Sequence, residues 1–299
     1  MYDSIIIGAG PAGITASIYA ARKSMNILVL SHDLGGQTNW TATVENYTGF
    51  QLIKGIDLVE KFKAHLKQFN AGVKDNETVL SAWKTGETFK VKTDKGEYEA
   101  KTLVIASGRV HRKLGIKGED EFIGKGVAYC ATCDVPLFSG AVVAVIGGGN
   151  SALDASLQLE KIAKQVYVID ETAGFKADPI LVEKLLGSPR VKVFRGDKVV
   201  EIMGDKFVNG IRLEQNGKIE ELEVEGVFVE IGSAPSSGFI KDIAKNVSGE
   251  IYVNCRCETS VPGIFAAGDV TDIPAKQIIV ACGEGAKAAL SAYSYVNNK

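Results

Sequence analysis

Ser4-Ile5-Ile6-Ile7-Gly8-Ala9-Gly10-Pro11-Ala12-Gly13 is an apolar strand that runs directly into a G-x-G-x-x-G turn. In a strand-turn-helix unit the first glycine permits the tight turn, the second lets backbone N–H groups approach a pyrophosphate, and the third allows close helix packing. The helix-period stretch Ile14–Arg22 and the apolar strand Ile27–Leu30 follow it. A lone motif of this kind also fits a glycine turn with no ligand, but here it recurs. Val142-Val143-Ala144-Val145-Ile146-Gly147-Gly148-Gly149-Asn150-Ser151-Ala152 is followed by a helical stretch, Ala152–Ile162, and a second strand, Gln165–Ile169. Gly8 to Ser31 and Gly147 to Asp170 span the same distance in sequence, so the two units read as homologous nucleotide-binding βαβ elements.

A third region, Gly263 to Asp269, is an apolar strand closing on Gly268-Asp269, with a helix-like stretch from Gly283 to Val296 behind it. Between these lie alternating, turn-rich segments, Phe89–Thr93, Tyr98–Ile105, Gly210–Leu213 and Val224–Ile231, which read as strands. The predicted fold class is therefore α/β: two Rossmann-like nucleotide-binding domains of three-layer ββα form, the second inserted into the first. The expected division is 1–115 with 245–299 for the outer domain and 116–244 for the inserted one.

The bulk numbers agree. At 299 residues and 45% hydrophobic content the chain can bury two cores of ordinary size. With 34 Lys and Arg against 36 Asp and Glu, a net charge of -2 gives no electrostatic reason to expect nucleic acid or a membrane surface as partner. The N-terminus enters a strand at once, without basic region or cleavage site, and no apolar run is long enough to cross a bilayer. A cytoplasmic location is expected. Five cysteines in so long a chain do not make a secreted disulfide scaffold.

Three places carry chemistry. In the first unit Ser31 stands where a ribose-binding carboxylate is expected, so a hydroxyl contact or water must serve. In the second unit Asp170, followed by Glu171, can accept hydrogen bonds from a ribose 2′-hydroxyl and would repel a 2′-phosphate, which points to NADH over NADPH; the competing reading is a solvated residue that ends a strand. Cys130-Ala131-Thr132-Cys133-Asp134 holds two thiols spaced for a small disulfide ring, with Asp134 placed to move a proton. The pair also fits half a zinc site, although Cys255-Arg256-Cys257 lacks the spacing for the other half. Cys255, Cys257 and Cys282 read as structural thiols, and His32, His65 and His111 as surface or packing residues. No metal site is expected.

These motifs together, with Gly35-Gly36-Gln37, Glu45-Asn46-Tyr47, Ala106-Ser107-Gly108, Gly126 to Asp134 and Gln277, resemble the low-molecular-weight thioredoxin reductases and the reductase part of the alkyl hydroperoxide reductase flavoprotein. The resemblance covers essentially the whole chain. It implies that Gly8, Gly10 and Gly13, with Pro11 and Ala12, hold the pyrophosphate of FAD, and that Gly36, Gln37 and Asn46 surround the flavin. Asp269 would bind its ribityl region and Gln277 lie near the isoalloxazine, with Ala106, Gly108, Gly268, Lys276 and Ile278 in the same site. Gly147, Gly149, Asn150, Ser151, Asp170 and Gly232 would take the pyridine nucleotide. Cys133 would face the flavin, Cys130 attack the partner disulfide, and Asp134 act as general acid/base.

Family members that use NADPH carry a His-Arg-Arg cluster and a further Arg after the second strand. Here Asp170 to Lys176 holds one cation, Lys176, and Lys176-Ala177-Asp178 is similar to the NADH-using hydroperoxide reductase flavoproteins. The expected activity is transfer of electrons from NADH through FAD and Cys130/Cys133 to a separate thioredoxin- or glutaredoxin-like protein, with no fused thioredoxin-like domain expected. The resemblance also implies a homodimer and a domain rotation hinged near Ile116 and Lys245. Two alternatives stand: a ferredoxin-dependent thioredoxin reductase, against which the intact Gly147 to Ala152 turn argues, and a redox-sensing flavoprotein without steady turnover.

Overall fold

The computed structural model describes residues 1–41, 44–69, 71–172, 174–215 and 217–298, with the backbone alone at Trp40, Thr132 and Cys133. The chain divides into two compact units, one formed by Met1–Asn39, Glu45–Val110 and Ala234–Lys299, the other by Trp40–Val44 and His111–Ser233. One α/β unit is thus inserted in another, as the sequence predicts. The junctions fall at Val110/His111 and Ser233/Ala234, ahead of the expected positions 116 and 245, and the short strands β7 (Arg109–His111) and β16 (Ser233–Pro235) occupy them.

In the outer unit β1 (Tyr2–Ala9), β2 (Ile27–Leu34), β3 (Gly72–Lys74), β6 (Glu97–Ile105) and β17 (Ile264–Ala266) form a parallel sheet in the order β3-β2-β1-β6-β17. The antiparallel strands β4 (Val79–Thr85) and β5 (Thr88–Thr93) extend it from β6. Registers pair Ile5 with Leu28 and with Leu103, and Phe265 with Val104. Both faces of the parallel strands are covered, which is why β1 reads as an uninterrupted apolar run with Ile5, Ile6 and Ile7 at most 3% exposed. Ile6, Val29, Val104 and Phe265 face α1 (Pro11–Arg22) and α6 (Ile278–Asn297). The alternate residues Ile5, Leu28, Leu103 and Ile264 pack on Phe89 and Val91 of the antiparallel arm. Helix α2 (Gly55–Leu66) completes the unit.

The inserted unit repeats this plan. Its parallel sheet runs β11-β10-β9-β15-β8, formed by β8 (Val127–Ala128), β9 (Val142–Ile146), β10 (Gln165–Asp170), β11 (Val191–Arg195) and β15 (Gly226–Val229). Strand β9 takes the place of β1, β10 of β2, β15 of β6, and β8 of β17. The helices α4 (Asn150–Leu159) and α5 (Pro179–Leu186) cover one face through Leu153, Leu159 and Leu185. A three-stranded antiparallel sheet, β12 (Lys198–Gly204), β13 (Val208–Gln215) and β14 (Lys218–Leu222), covers the other through Ile202, Ile211 and Leu213. This is the expected ββα layering.

Two helices start earlier than the sequence pattern indicates. Helix α1 begins at Pro11, whose fixed φ suits a first helical position, and not at Ile14. Helix α6 begins at Ile278 and runs through Gly283, where the sequence pattern places its start, and through Gly285. Gly285 is an internal requirement of packing: a Cβ there would lie 2.1 Å from the Ala12 carbonyl oxygen, so α1 and α6 approach with only hydrogen between their backbones.

Candidate functional site

In the outer unit the turn after β1 is built as its glycines demand. Gly8 has φ +100, and a Cβ on it would sit 2.3 Å from the Ala106 carbonyl at the end of β6; one on Gly13 would sit 1.9 Å from the Gly8 carbonyl. Gly10, which caps α1, is different: nothing lies within 4 Å of its Cβ position. The two outer glycines are thus fixed by protein packing. The middle one keeps open space above a helix N-terminus, as a cradle for a pyrophosphate requires.

Gly36 and Gly268 lie against this turn, and the other predicted residues of the unit make contacts of their own. Gly36 lies with its Cβ position 3.3 Å from Gly10 Cα, and Gly268 places its own 2.9 Å from Ala12 Cβ. Gln37 donates its side-chain amide to the Arg109 carbonyl, while Asn46 Nδ2 donates to Gln277 Oε1 at 3.0 Å. Asp269 is partly buried; burial pushes its carboxyl up, while Lys276 and Arg109 pull it down. Arg109 is ion-paired with Glu250, which also meets Lys276 at 3.2 Å. Arg109 and Glu250 belong to no sequence motif, so nothing in the linear pattern points to this charge network. Ser107 Oγ donates to the Ser236 carbonyl and holds the Ala106–Gly108 segment, and Ile278 opens α6 directly after Gln277. Ser31 Oγ accepts from the Ala9 amide at 3.0 Å and donates to the Asp33 carbonyl, so it stabilises the turn from within.

The inserted unit holds the second turn. A Cβ on Gly147 (φ +140) would meet the Glu230 carbonyl at 2.4 Å, just as Gly8 meets Ala106, and Gly149 matches Gly10 in having nothing within 4 Å. Asn150 and Ser151 open α4, and Asn150 is tied to Asp178 by hydrogen bonds in both directions, 2.8 and 3.2 Å. Gly232 is left-handed at φ +95 and its carbonyl accepts from the Arg112 amide. Asp170 ends β10 at 4% exposure, with Oδ1 accepting from the Thr172 amide and hydroxyl at 3.0 and 2.9 Å. Its Oδ2 has no hydrogen-bond partner and packs so closely on Gly148 that a Cβ there would fall 2.2 Å away. An acceptor oxygen orphaned in a buried position beside a glycine turn is one that a ribose diol would satisfy.

The same unit carries the dithiol segment. Cys130 precedes the short helix α3 (Ala131–Asp134), and the Asp134 amide donates to the Cys130 carbonyl at 3.0 Å. Cys130 is half-buried; the Cys133 side chain, and with it the expected ring closure, lies outside the described residues. Asp134 is 8% exposed with Oδ1 unpartnered, and burial pushes its carboxyl up to about 7. A second carboxyl joins it: Glu230, after β15, accepts from the Ala131 amide at 3.3 Å, and burial pushes it up to about 7 against that hydrogen bond. Tyr129 braces the segment through its hydroxyl, which donates to Glu119 Oε1 at 2.8 Å, and through its ring beside His111. Two carboxyls raised toward neutral pH, one within the segment that bears Cys130 and one bonded to its backbone, are suited to exchange protons with dithiol chemistry.

Of the other cysteines, Cys257 and Cys282 are buried, but Cys255 is exposed and departs from the expected packing role. Among the described residues no group of three or more His, Cys, Asp or Glu side chains is placed to hold a metal, and no helix is long and apolar enough to cross a membrane.

Residues 2–285 match the family described as pyridine nucleotide-disulphide oxidoreductase. The F subunit of alkyl hydroperoxide reductase from Staphylococcus aureus strain MSSA476 is 41% identical over 299 residues, 99% of this chain and 59% of that protein. The chain therefore spans about three-fifths of the length of the curated relatives it matches. Among solved structures, the thioredoxin reductase from Streptococcus pyogenes MGAS5005 superposes with a TM-score of 0.94 at 36% identity, covering 100% of this chain and 99% of that one. The thioredoxin reductase from Giardia duodenalis gives 0.90 at 32% identity, covering 99% of each.

Proposed function

Since the chain belongs to the pyridine nucleotide-disulphide oxidoreductase family, we propose that it is a cytoplasmic, NADH-dependent flavoprotein that reduces the disulfide of a separate thioredoxin-like protein through Cys130 and Cys133. One observation carries this reading. A single unit holds both the glycine turn Gly147–Gly149 and the Cys130–Cys133 segment, and Glu230 touches both, by its carbonyl and its carboxyl respectively.

FAD held in the outer unit would supply the two-electron chemistry that connects a hydride donor to a disulfide. Gly8, Gly10 and Gly13, with Pro11 and Ala12, would take its pyrophosphate at the α1 N-terminus, and Gly36, Gln37, Asn46, Asp269, Lys276, Gln277 and Ile278 would line the remainder. In the inserted unit Gly149, Asn150 and Ser151 would bind the nucleotide phosphates at the α4 N-terminus. Asp170 Oδ2 would accept the ribose hydroxyl, and its charge would disfavour the 2′-phosphate of NADPH. Asp134 holds a proton near neutral pH and would return it to the leaving thiolate during exchange.

The test uses holoprotein with NADH or NADPH, a thioredoxin-like protein and a chromogenic disulfide. NADH-driven reduction that disappears in both Cys130→Ser and Cys133→Ser is expected. Turnover that survives either substitution would exclude the relay. NADH reduction of the flavin with no disulfide turnover would favour the redox-sensor reading instead.

A further inference from the structure

Glu230 lies outside every sequence motif, yet it stands between the two chemical elements of the inserted unit. Its carbonyl packs on Gly147 and its Oε1 accepts from the amide of Ala131, the residue after Cys130. We propose that Glu230 is a positioning residue of the dithiol: through the Ala131 amide it anchors the segment bearing Cys130, and its charge controls how readily Cys130 becomes a thiolate. The proposal rests on the disulfide-exchange reading above.

The surroundings make that charge effective. The titratable and charged residues on the elements about Glu230 are Cys130, Cys133 and Asp134 of the dithiol segment, His111 beside Tyr129, Arg112, whose amide donates to the Gly232 carbonyl, and Asp170 on the far flank of the glycine turn against Gly148. Tyr129 is engaged with Glu119. Among the described residues, burial pushes the Glu230 carboxyl up to about 7 and the Ala131 hydrogen bond opposes it, which puts its change of charge near neutral pH. An ionised Glu230 disfavours a second negative charge on Cys130, and a Cys130 thiolate in turn favours protonated Glu230.

The exchange then balances. Cys130 gives up its proton to solvent, its sulfur bonds to one sulfur of the partner disulfide, the partner S–S bond breaks, and the displaced thiolate takes a proton from Asp134, which solvent restores. The Cys133 thiolate next bonds to Cys130 Sγ, the mixed disulfide breaks, and the second partner sulfur leaves with the proton that Cys133 gave up. Two electrons and two protons pass from the enzyme dithiol to the partner.

The experiment reads the thiol directly and needs neither nucleotide nor partner, so it stands even where thioredoxin turnover fails. In Cys133→Ser holoprotein, alkylation of Cys130 by iodoacetamide is followed by peptide mass spectrometry from pH 5.5 to 9, with and without Glu230→Gln. The amide keeps an acceptor for Ala131 and loses the charge. The two curves should coincide below about pH 6, where Glu230 is protonated. Glu230→Gln should react about three- to tenfold faster near pH 8. Glu230→Asp, which keeps the charge, should follow the parent. Superimposable curves for Glu230→Gln and parent, an offset equal at every pH, or a Glu230→Asp curve that follows Glu230→Gln would each overturn the proposal.

Discussion

Replacing Asp170 tests the nucleotide assignment at the atom on which it rests. Oδ2 is buried, unpartnered and charged, so a ribose hydroxyl that reaches it gains a charge-assisted hydrogen bond without displacing a protein donor. Such a bond contributes about 1.5–3 kcal/mol. Asp170→Ala should therefore lower kcat/KM for NADH by about ten- to 150-fold, at roughly 1.4 kcal/mol per decade. NADPH lacks the 2′-hydroxyl and is relieved of like-charge repulsion, so its kcat/KM should hold or rise, and the preference should narrow. The alanine also strands the Thr172 amide and hydroxyl, which now meet Oδ1. Asp170→Asn keeps that acceptor and separates the local structural effect from loss of charge. Ferricyanide reduction by holoprotein measures both nucleotides without involving Cys130 or Cys133. A wild-type protein that prefers NADPH, or an Asp170→Ala variant with an unchanged NADH to NADPH ratio, would refute the reasoning.

Gly148→Ala, whose Cβ would fall 2.2 Å from Asp170 Oδ2, should displace the carboxylate and reproduce the selectivity loss in the same ferricyanide assay while flavin content stays constant. Gly10→Ala, with nothing within 4 Å, should fold normally and release flavin, whereas Gly8→Ala, 2.3 Å from the Ala106 carbonyl and at φ +100, should lower the thermal midpoint of the apoprotein as well; equal apoprotein stability would remove the distinction between the two glycines. Asp134 is raised by burial from 3.8 to about 7, so the fold retains a proton that the unfolded chain loses, and the resulting destabilisation grows from about pH 4 and is complete above pH 7. Asp134→Asn should leave calorimetric stability unchanged at pH 4 and raise it at pH 8 by up to about 4 kcal/mol while disulfide turnover falls; a gap that does not widen with pH would contradict it.

Much of the fold is legible in the sequence because its signals are local. The glycine turns sit where backbone must touch backbone, Gly8 on Ala106 and Gly147 on Glu230, and the doubly covered strands show as unbroken apolar runs. Gly285 is silent for the opposite reason. Its requirement lies in Ala12, hundreds of residues earlier, so nothing in its own neighbourhood marks it. The equivalence of β8 with β17 is hidden too. One precedes its nucleotide turn and the other follows the inserted unit, so no linear spacing relates them.

The same contrast applies to the site. Cys130, Cys133 and Asp134 announce themselves by adjacency, and Asp170 by its fixed distance from Gly147. Arg109, Glu250 and Glu230 do not, because each acquires its partner only when segments distant in sequence fold together. Glu230 reaches the dithiol because parallel pairing of β15 with both β8 and β9 brings the strand end before Cys130 beside the strand end before Gly147. In an open parallel sheet the strand ends on either side of a crossover converge at one edge, where ligands bind. A carboxyl one residue past β15 is therefore bound to face whatever chemistry the neighbouring ends carry. Register, more than any motif, makes Glu230 the residue through which the nucleotide turn and the dithiol segment meet.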